Sequence, residues 1–217
     1  MPPLAPGCPR CATPVARAAE GGAWACPDHG VVRPLWRPTE VSYDGFVAHL
    51  EQADGFPTYL PWPLSPGWEV TDFAVVADDR GATATLTCVS GASELDGPVD
   101  VLVVAEEAGV GLGARCAGTT GHDPGPEVGH GPPAVWLRIG SQPVPLWPVT
   151  CWGAEQRPSG EWDRSVVAGE AGGRWLWVVL RPASAVLLLS EGWQLRDVSG
   201  LGMALVEVPF GGPHPAW

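Results

Sequence analysis

Apolar positions along this chain come in short blocks, about five to nine residues long, separated by Gly, Pro and Asp clusters. Blocks of that length rich in Val, Leu, Ala and Trp read as strands, here at about 69–77, 82–90, 99–105, 134–140, 144–149, 164–171, 174–181 and 184–191. Val99 to Ala105 is almost unbroken, which suits a central strand, and Asp78-Asp79-Arg80-Gly81 suits a hairpin turn. Trp175 and Trp177 alternate with Leu176 and Val178, so that strand is covered on both faces. A helical period occurs over 40–53, where Val41, Phe46, Val47 and Leu50 make one stripe between a Thr39 cap and Gly55. His49 on that helix is expected to be partly exposed. A brief helix near Leu195 to Ser199 and a last strand over Met203 to Val208 are expected to close the chain. The segment Gly211 to Trp217 reads as frayed, with His214 in solvent.

Composition decides whether such a pattern folds. The 29 Gly and 25 Pro approach the level of low-complexity chains, but 45% hydrophobic residues and 12 Trp supply enough apolar surface for a core. The fold class is therefore α+β and predominantly β. We expect a small N-terminal zinc ribbon (residues 1–38, with its exit linker) and a mainly antiparallel β-sheet domain (39–217) with one or two short helices. The Pro-dense stretch from Phe56 to Trp68 favours extended backbone, with its aromatics packed on the neighbouring sheet.

The ribbon rests on Cys8-Pro9-Arg10-Cys11 and, after a gap of fourteen residues, Cys26-Pro27-Asp28-His29. Two knuckles bridged by a hairpin through Gly21-Gly22 offer three thiolates and one imidazole, the donor set of a closed tetrahedral zinc site. A dithiol redox motif leaves Cys26 and His29 unused, and haem attachment needs His where Ala12 stands. Cys8, Cys11, Cys26 and His29 are thus the expected ligands of one structural Zn2+, and no catalytic residue is assigned. Folding of this segment is expected to depend on the metal.

Glu106-Glu107-Ala108-Gly109-Val110-Gly111-Leu112-Gly113-Ala114 matches a dinucleotide-binding glycine pattern. Two glutamates where a pyrophosphate would approach, and a Gly/Pro-rich continuation, oppose it, so a tight loop with positive backbone angles is the better reading. The loop that follows, with Arg115, His122, Asp123 and His130, and with Glu127 and Cys116 nearby, is the candidate ligand-binding or catalytic cluster.

Charge is uneven. The first forty residues hold four Arg against three acids, the rest eight Arg against 21. Such an acidic domain repels a phosphate backbone, which argues against nucleic acid as its partner. With no signal-like start, no apolar run of about 20 residues and an odd number of cysteines left over (Cys88, Cys116, Cys151), a soluble cytoplasmic protein without a membrane span is expected.

Several segments together resemble an uncharacterised actinobacterial family, a domain of unknown function with an N-terminal zinc ribbon followed by a β-rich domain. They are Cys8 to Cys11, Cys26 to Gly30, Leu60 to Leu64 with Gly67-Trp68, Ala105 to Arg115, Asp123 to Pro126, and Gly169 to Ala171 before Trp175 to Trp177. Cys116 departs from that pattern, where an aromatic residue is expected. The resemblance implies no defined activity. Two functions follow from the residues: a non-enzymatic protein-interaction or adaptor module, which is favoured, and an enzyme or small-molecule sensor using the Gly-rich loop at 106–131.

Overall fold

A computed structural model describes residues 6–18, 22–151, 163–191 and 193–217. It is mostly β, with predominantly antiparallel sheets and few helices, as its short apolar blocks require. A three-stranded sheet of β1 (Ala16–Arg17), β2 (Trp24–Cys26) and β3 (Gly30–Val31) forms the N-terminal unit. Gly21 of the expected hairpin turn lies outside the described residues.

The second sheet has ten strands. In chain order they are β4 (Leu35–Trp36), β5 (Tyr59–Pro61), β6 (Glu69–Asp78), β7 (Gly81–Ser93), β8 (Gly97–Glu106), β9 (Val135–Ile139), β10 (Gln142–Pro148), β11 (Ser165–Ala171), β12 (Arg174–Arg181) and β13 (Gln194–Asp197). Their spatial order is β4-β6-β7-β8-β12-β11-β10-β9-β13-β5, and only β9 and β13 pair in parallel. β8 sits between β7 and β12, the central position its apolar run predicts. β4 pairs with β6, so the segment leaving the N-terminal unit is stitched into the large sheet.

The sheet curls. Thr85 and Thr87 of β7 donate their hydroxyls to the carbonyls of Pro57 and Tyr59, laying β5 across β7. Period-two alternation then feeds two cores. Val99, Val101 and Val103 of β8, with Leu176, Val178 and Leu180 of β12, face the inside of the curl with Phe46, Leu60, Leu137 and Leu195. Leu102, Val104, Trp177 and Val179 face the other way, onto Leu35, Leu112, Cys116 and Trp217.

The first helix, α1 (Tyr43–Ala53), starts three residues later than the Thr39 cap implies: Ser42 accepts from the Gly45 amide, and Asp54 ends it in the left-handed region. His49 is not partly exposed. It is 4% accessible, stacked on Phe46 with ring centroids 5.5 Å apart and edge-on to Phe73. The physical reason is that α1 packs on both β6 and β7 and buries a wider face than the stripe of Val41, Phe46, Val47 and Leu50.

Two other expectations are corrected. Residues 183–191 form a 3-10 helix, not a strand, with Ala185 and Leu189 buried while Leu187 is 59% exposed. A continuous apolar run does not distinguish the two states. Near the end of the chain the order is reversed. Gln194–Asp197 is a strand inserted between β9 and β5, and Gly202–Glu207 is a 3-10 helix.

Candidate metal centre

The metal-ligand geometry is built by turns. Cys8 donates its amide to the Thr13 carbonyl, and its sulfur accepts the Arg10 amide at 3.4 Å, which bends the first knuckle back on itself. The second knuckle is the β2–β3 turn, in which Gly30 adopts a φ of 66° one residue after His29. Cys8, Cys11, Cys26 and His29 thereby bring their ligand atoms within 4.8 Å of one another. Cys8 Sγ lies 3.7 Å and Cys26 Sγ 3.6 Å from His29 Nδ1, and the sulfurs of Cys11 and Cys26 are 3.7 Å apart, far beyond disulfide length. Four donors so arranged could hold a metal ion. Burial pushes the Cys8 thiol up to about 11. At Cys11 burial acts in the same sense, but hydrogen bonds from Thr13, Cys26 and Cys8 outweigh it and bring the thiol down to about 6. Apart from the cysteines, the apolar support of this unit is small: Val15 and Val32 are buried beside Cys8 and Cys26, with Trp24 packed against them.

The knuckles do not stand free. Arg10 reaches the Gly-rich loop after β8, donating from Nη2 to the Gly109 carbonyl at 2.6 Å and from Nε to that of Val110 at 3.1 Å. Gly7 and Leu35 exchange both backbone bonds, and Arg33 pairs with Asp78 at 3.5 Å. The loop gains its shape from Gly109 and Gly111 at φ of 81° and 88°, followed by the six-residue helix α2 (Leu112–Ala117), where the sequence reading had only loop. Glu106 is fully buried and accepts the Leu112 amide at 2.8 Å, filling the place a nucleotide phosphate would need. Burial raises its carboxyl to about 7, against the pull of the Gly113 and Leu112 amides.

Of the loop residues singled out from the sequence, Arg115 and Asp123 are taken up in backbone contacts. Arg115 donates to the Cys8 carbonyl at 2.8 Å, and Asp123 accepts the Gly109 amide at 2.8 Å. His122 is exposed beside Gly111, His130 and Glu127 are exposed, and Cys116 is buried with its thiol pushed up to about 12. What sequence reasoning missed is Asp72, a carboxylate with no exposure that receives Arg37 at 2.6 Å, the Trp217 indole N–H at 2.7 Å and His214 Nδ1 at 3.3 Å. A lone Asp inside the apolar block 69–77 was the available signal. The segment after Gly211 is accordingly not frayed: Pro215 is buried and its carbonyl accepts from Arg37 at 3.0 Å.

A Cys3His knuckle pair docked on a curled antiparallel β domain defines the class of protein. The chain belongs to a family of unknown function, DUF6758, whose profile matches residues 3–217. Neither a curated protein nor a solved structure matches the chain. Among the described residues, no helix is long and apolar enough to cross a membrane.

Proposed function

We propose that Cys8, Cys11, Cys26 and His29 bind one structural zinc ion, and that the protein is a non-enzymatic interaction module. The zinc reading is supported by edge lengths. A tetrahedron with Zn–S of about 2.3 Å and Zn–N of about 2.0 Å has S···S edges near 3.8 Å and S···N edges near 3.5 Å. Three of the six edges, at 3.6 to 3.7 Å, lie within about 0.2 Å of those values, and all four donor atoms lie within 4.8 Å of one another. Four protein donors leave no position for water or substrate, so the ion would staple residues 1–38 and take no part in a reaction. Metal analysis of the purified chain tests this; a metal content well below one equivalent, or iron in place of zinc, overturns it. Reduced thiols suit a cytoplasmic location.

One observation carries the interaction reading: Arg10 and Arg115, the cations that join the ribbon to the loop, are committed to backbone carbonyls, while Trp-lined relief lies open elsewhere. Trp62, Trp68 and Trp193, with Pro61, Pro63 and Leu64, line a cavity of about 360 Å³. Trp68 and Trp193 also wall a neighbouring one of about 450 Å³, with Leu187 at 59% and Leu95 at 81% exposure on its rim. Trp-lined relief of this kind, apolar rings set among polar groups, provides anchors for a protein partner. Glu94 and Asp96 border it on a chain of net charge -12, so the partner segment would be cationic. The test compares partners cross-linked in the native cell to the intact chain and to a Trp62→Ala, Trp193→Ala variant. A basic protein lost with the double variant supports the reading; identical recovery by both chains, or recovery of monomer alone, overturns it.

A further inference from the structure

Trp217 is half-buried in a built site. The Trp217 indole is covered by two guanidiniums, Arg37 at 4.4 Å from the ring centroid and Arg115 at 4.7 Å. Its N–H donates to the buried Asp72 carboxylate at 2.7 Å. Arg37 neutralises that carboxylate from Nη2 at 2.6 Å and Nε at 3.2 Å, and the Phe73 amide adds a bond at 2.9 Å. A buried carboxylate acceptor with two cations placed over the ring recognises a flat aromatic ring that carries an N–H donor, which is what an indole offers.

The same Arg115 faces the metal knuckle. One nitrogen of its guanidinium bonds the Cys8 carbonyl at 2.8 Å, the other reaches the Trp217 carbonyl at 3.4 Å, and the plane covers the Trp217 ring. Arg115 is half-buried in α2, so a guanidinium that loses either neighbour is left under-compensated away from bulk water. Arg37 is fixed in turn by its place just after β4, the strand that leaves the ribbon. Ribbon, α2 and the final segment thus meet at one side chain.

We propose that Asp72, Arg37 and Arg115 form an indole-binding site filled by the chain's own Trp217, and that its occupancy is coupled to metal binding at the Cys8 knuckle through Arg115. The inference rests on the metal reading but goes beyond it. A bound ion fixes Cys8 and with it the carbonyl that orients Arg115, and an oriented Arg115 in turn holds the indole. Linkage makes the coupling reciprocal: the factor by which the ion tightens the docking of residues 211–217 equals the factor by which that docking tightens the ion.

The experiment uses the full chain, first assayed for metal. Hydrogen exchange of the 209–217 peptide is followed in zinc-loaded and chelator-stripped protein, and zinc affinity is measured by competition with a chromogenic chelator for wild type and Trp217→Ala. Stripping is expected to accelerate exchange in 209–217 on the order of tenfold, and Trp217→Ala to weaken zinc by a similar factor. Trp217→Phe keeps an aromatic ring for the two cations but removes the N–H together with the pyrrole half of the indole, so it gives an intermediate loss and serves if the Ala variant does not fold. If zinc is bound but exchange is unchanged by stripping and affinity unchanged by either variant, the coupling is refuted while the metal reading stands. A chain that holds no metal and still protects 209–217 refutes both.

Discussion

The guanidinium of Arg10 grips the peptide of Gly109, whose carbonyl accepts Nη2 at 2.6 Å while its amide is taken by Asp123 at 2.8 Å. An arginine from inside the first knuckle therefore reads the backbone of a loop almost a hundred residues away, and that loop's glycines leave its carbonyls accessible. Arg10→Ala is expected to destabilise the chain by about 2 kcal/mol, since charge-assisted hydrogen bonds contribute about 1.5–3 kcal/mol. All four metal ligands stay in place, so metal content is unchanged. Chemical denaturation alongside metal analysis checks this, and Arg10→Lys, which cannot form the two-pronged contact, is expected to rescue little of the loss.

Cys26 is the ligand at the centre of the cluster, 3.7 Å from Cys11 Sγ and 3.6 Å from His29 Nδ1. Cys26→Ala is expected to release the metal and unfold the N-terminal unit, whose own apolar core is small. The large sheet keeps its fold, because β4 pairs with β6 in a ladder that needs no metal. Hydrogen exchange distinguishes the outcomes: fast exchange confined to about residues 7–32 is expected, whereas unchanged zinc affinity would remove Cys26 from the ligand set.

Strand content, the hairpin at Asp78 to Gly81 and the central place of Val99 to Ala105 were legible in the sequence because period and turn chemistry are local signals. So was the association of the four ligand types, whose spacing is itself local. The docking of the ribbon was not, because Arg10, Arg115, Asp72 and Trp217 come from four distant segments and carry no shared period. His49 shows the same limit from the other side: its burial is set by two strands packed on α1, which the helix sequence does not encode.

Gly113 lies in α2, where Ala would ordinarily be favoured over Gly by about 1 kcal/mol. A Cβ there would come to 2.3 Å from the Trp177 indole, a ring buried in the second core. Overpacking outweighs propensity, and Gly113→Ala is expected to cost about 2 kcal/mol net. Since α2 carries Arg115, loss of protection at residues 211–217 should accompany the lower denaturation midpoint.

Glu106 gives a pH signature. Its carboxyl is raised by burial from 4.5 to about 7, so the folded chain binds a proton that the unfolded chain gives up. The stabilisation is complete below pH 4.5 and is lost as pH rises through 7, amounting to roughly 3 kcal/mol at about 1.4 kcal/mol per unit. Glu106→Gln keeps an acceptor for the Leu112 amide and removes the titration. Its stability is expected to exceed that of wild type above pH 7, with the difference vanishing near pH 4.5.

His49 acts in the opposite direction. Burial lowers its pKa from 6.5 to about 3, and among the described residues neither ring nitrogen has a hydrogen-bond partner. The folded state holds the neutral ring while the unfolded chain takes up a proton below pH 6.5, so this contribution is present above that value and lost as pH falls towards 3. The full loss is about 4 to 5 kcal/mol. Leu at position 49 removes both the titration and two unpaired polar atoms with little change in volume. His49→Leu is therefore expected to be about 1 kcal/mol more stable at pH 7 and to flatten the acid limb of the stability curve. Urea midpoints at half-unit intervals between pH 3 and 7, for this variant and wild type, measure that limb. Parallel curves would mean that His49 finds a proton acceptor in the folded chain.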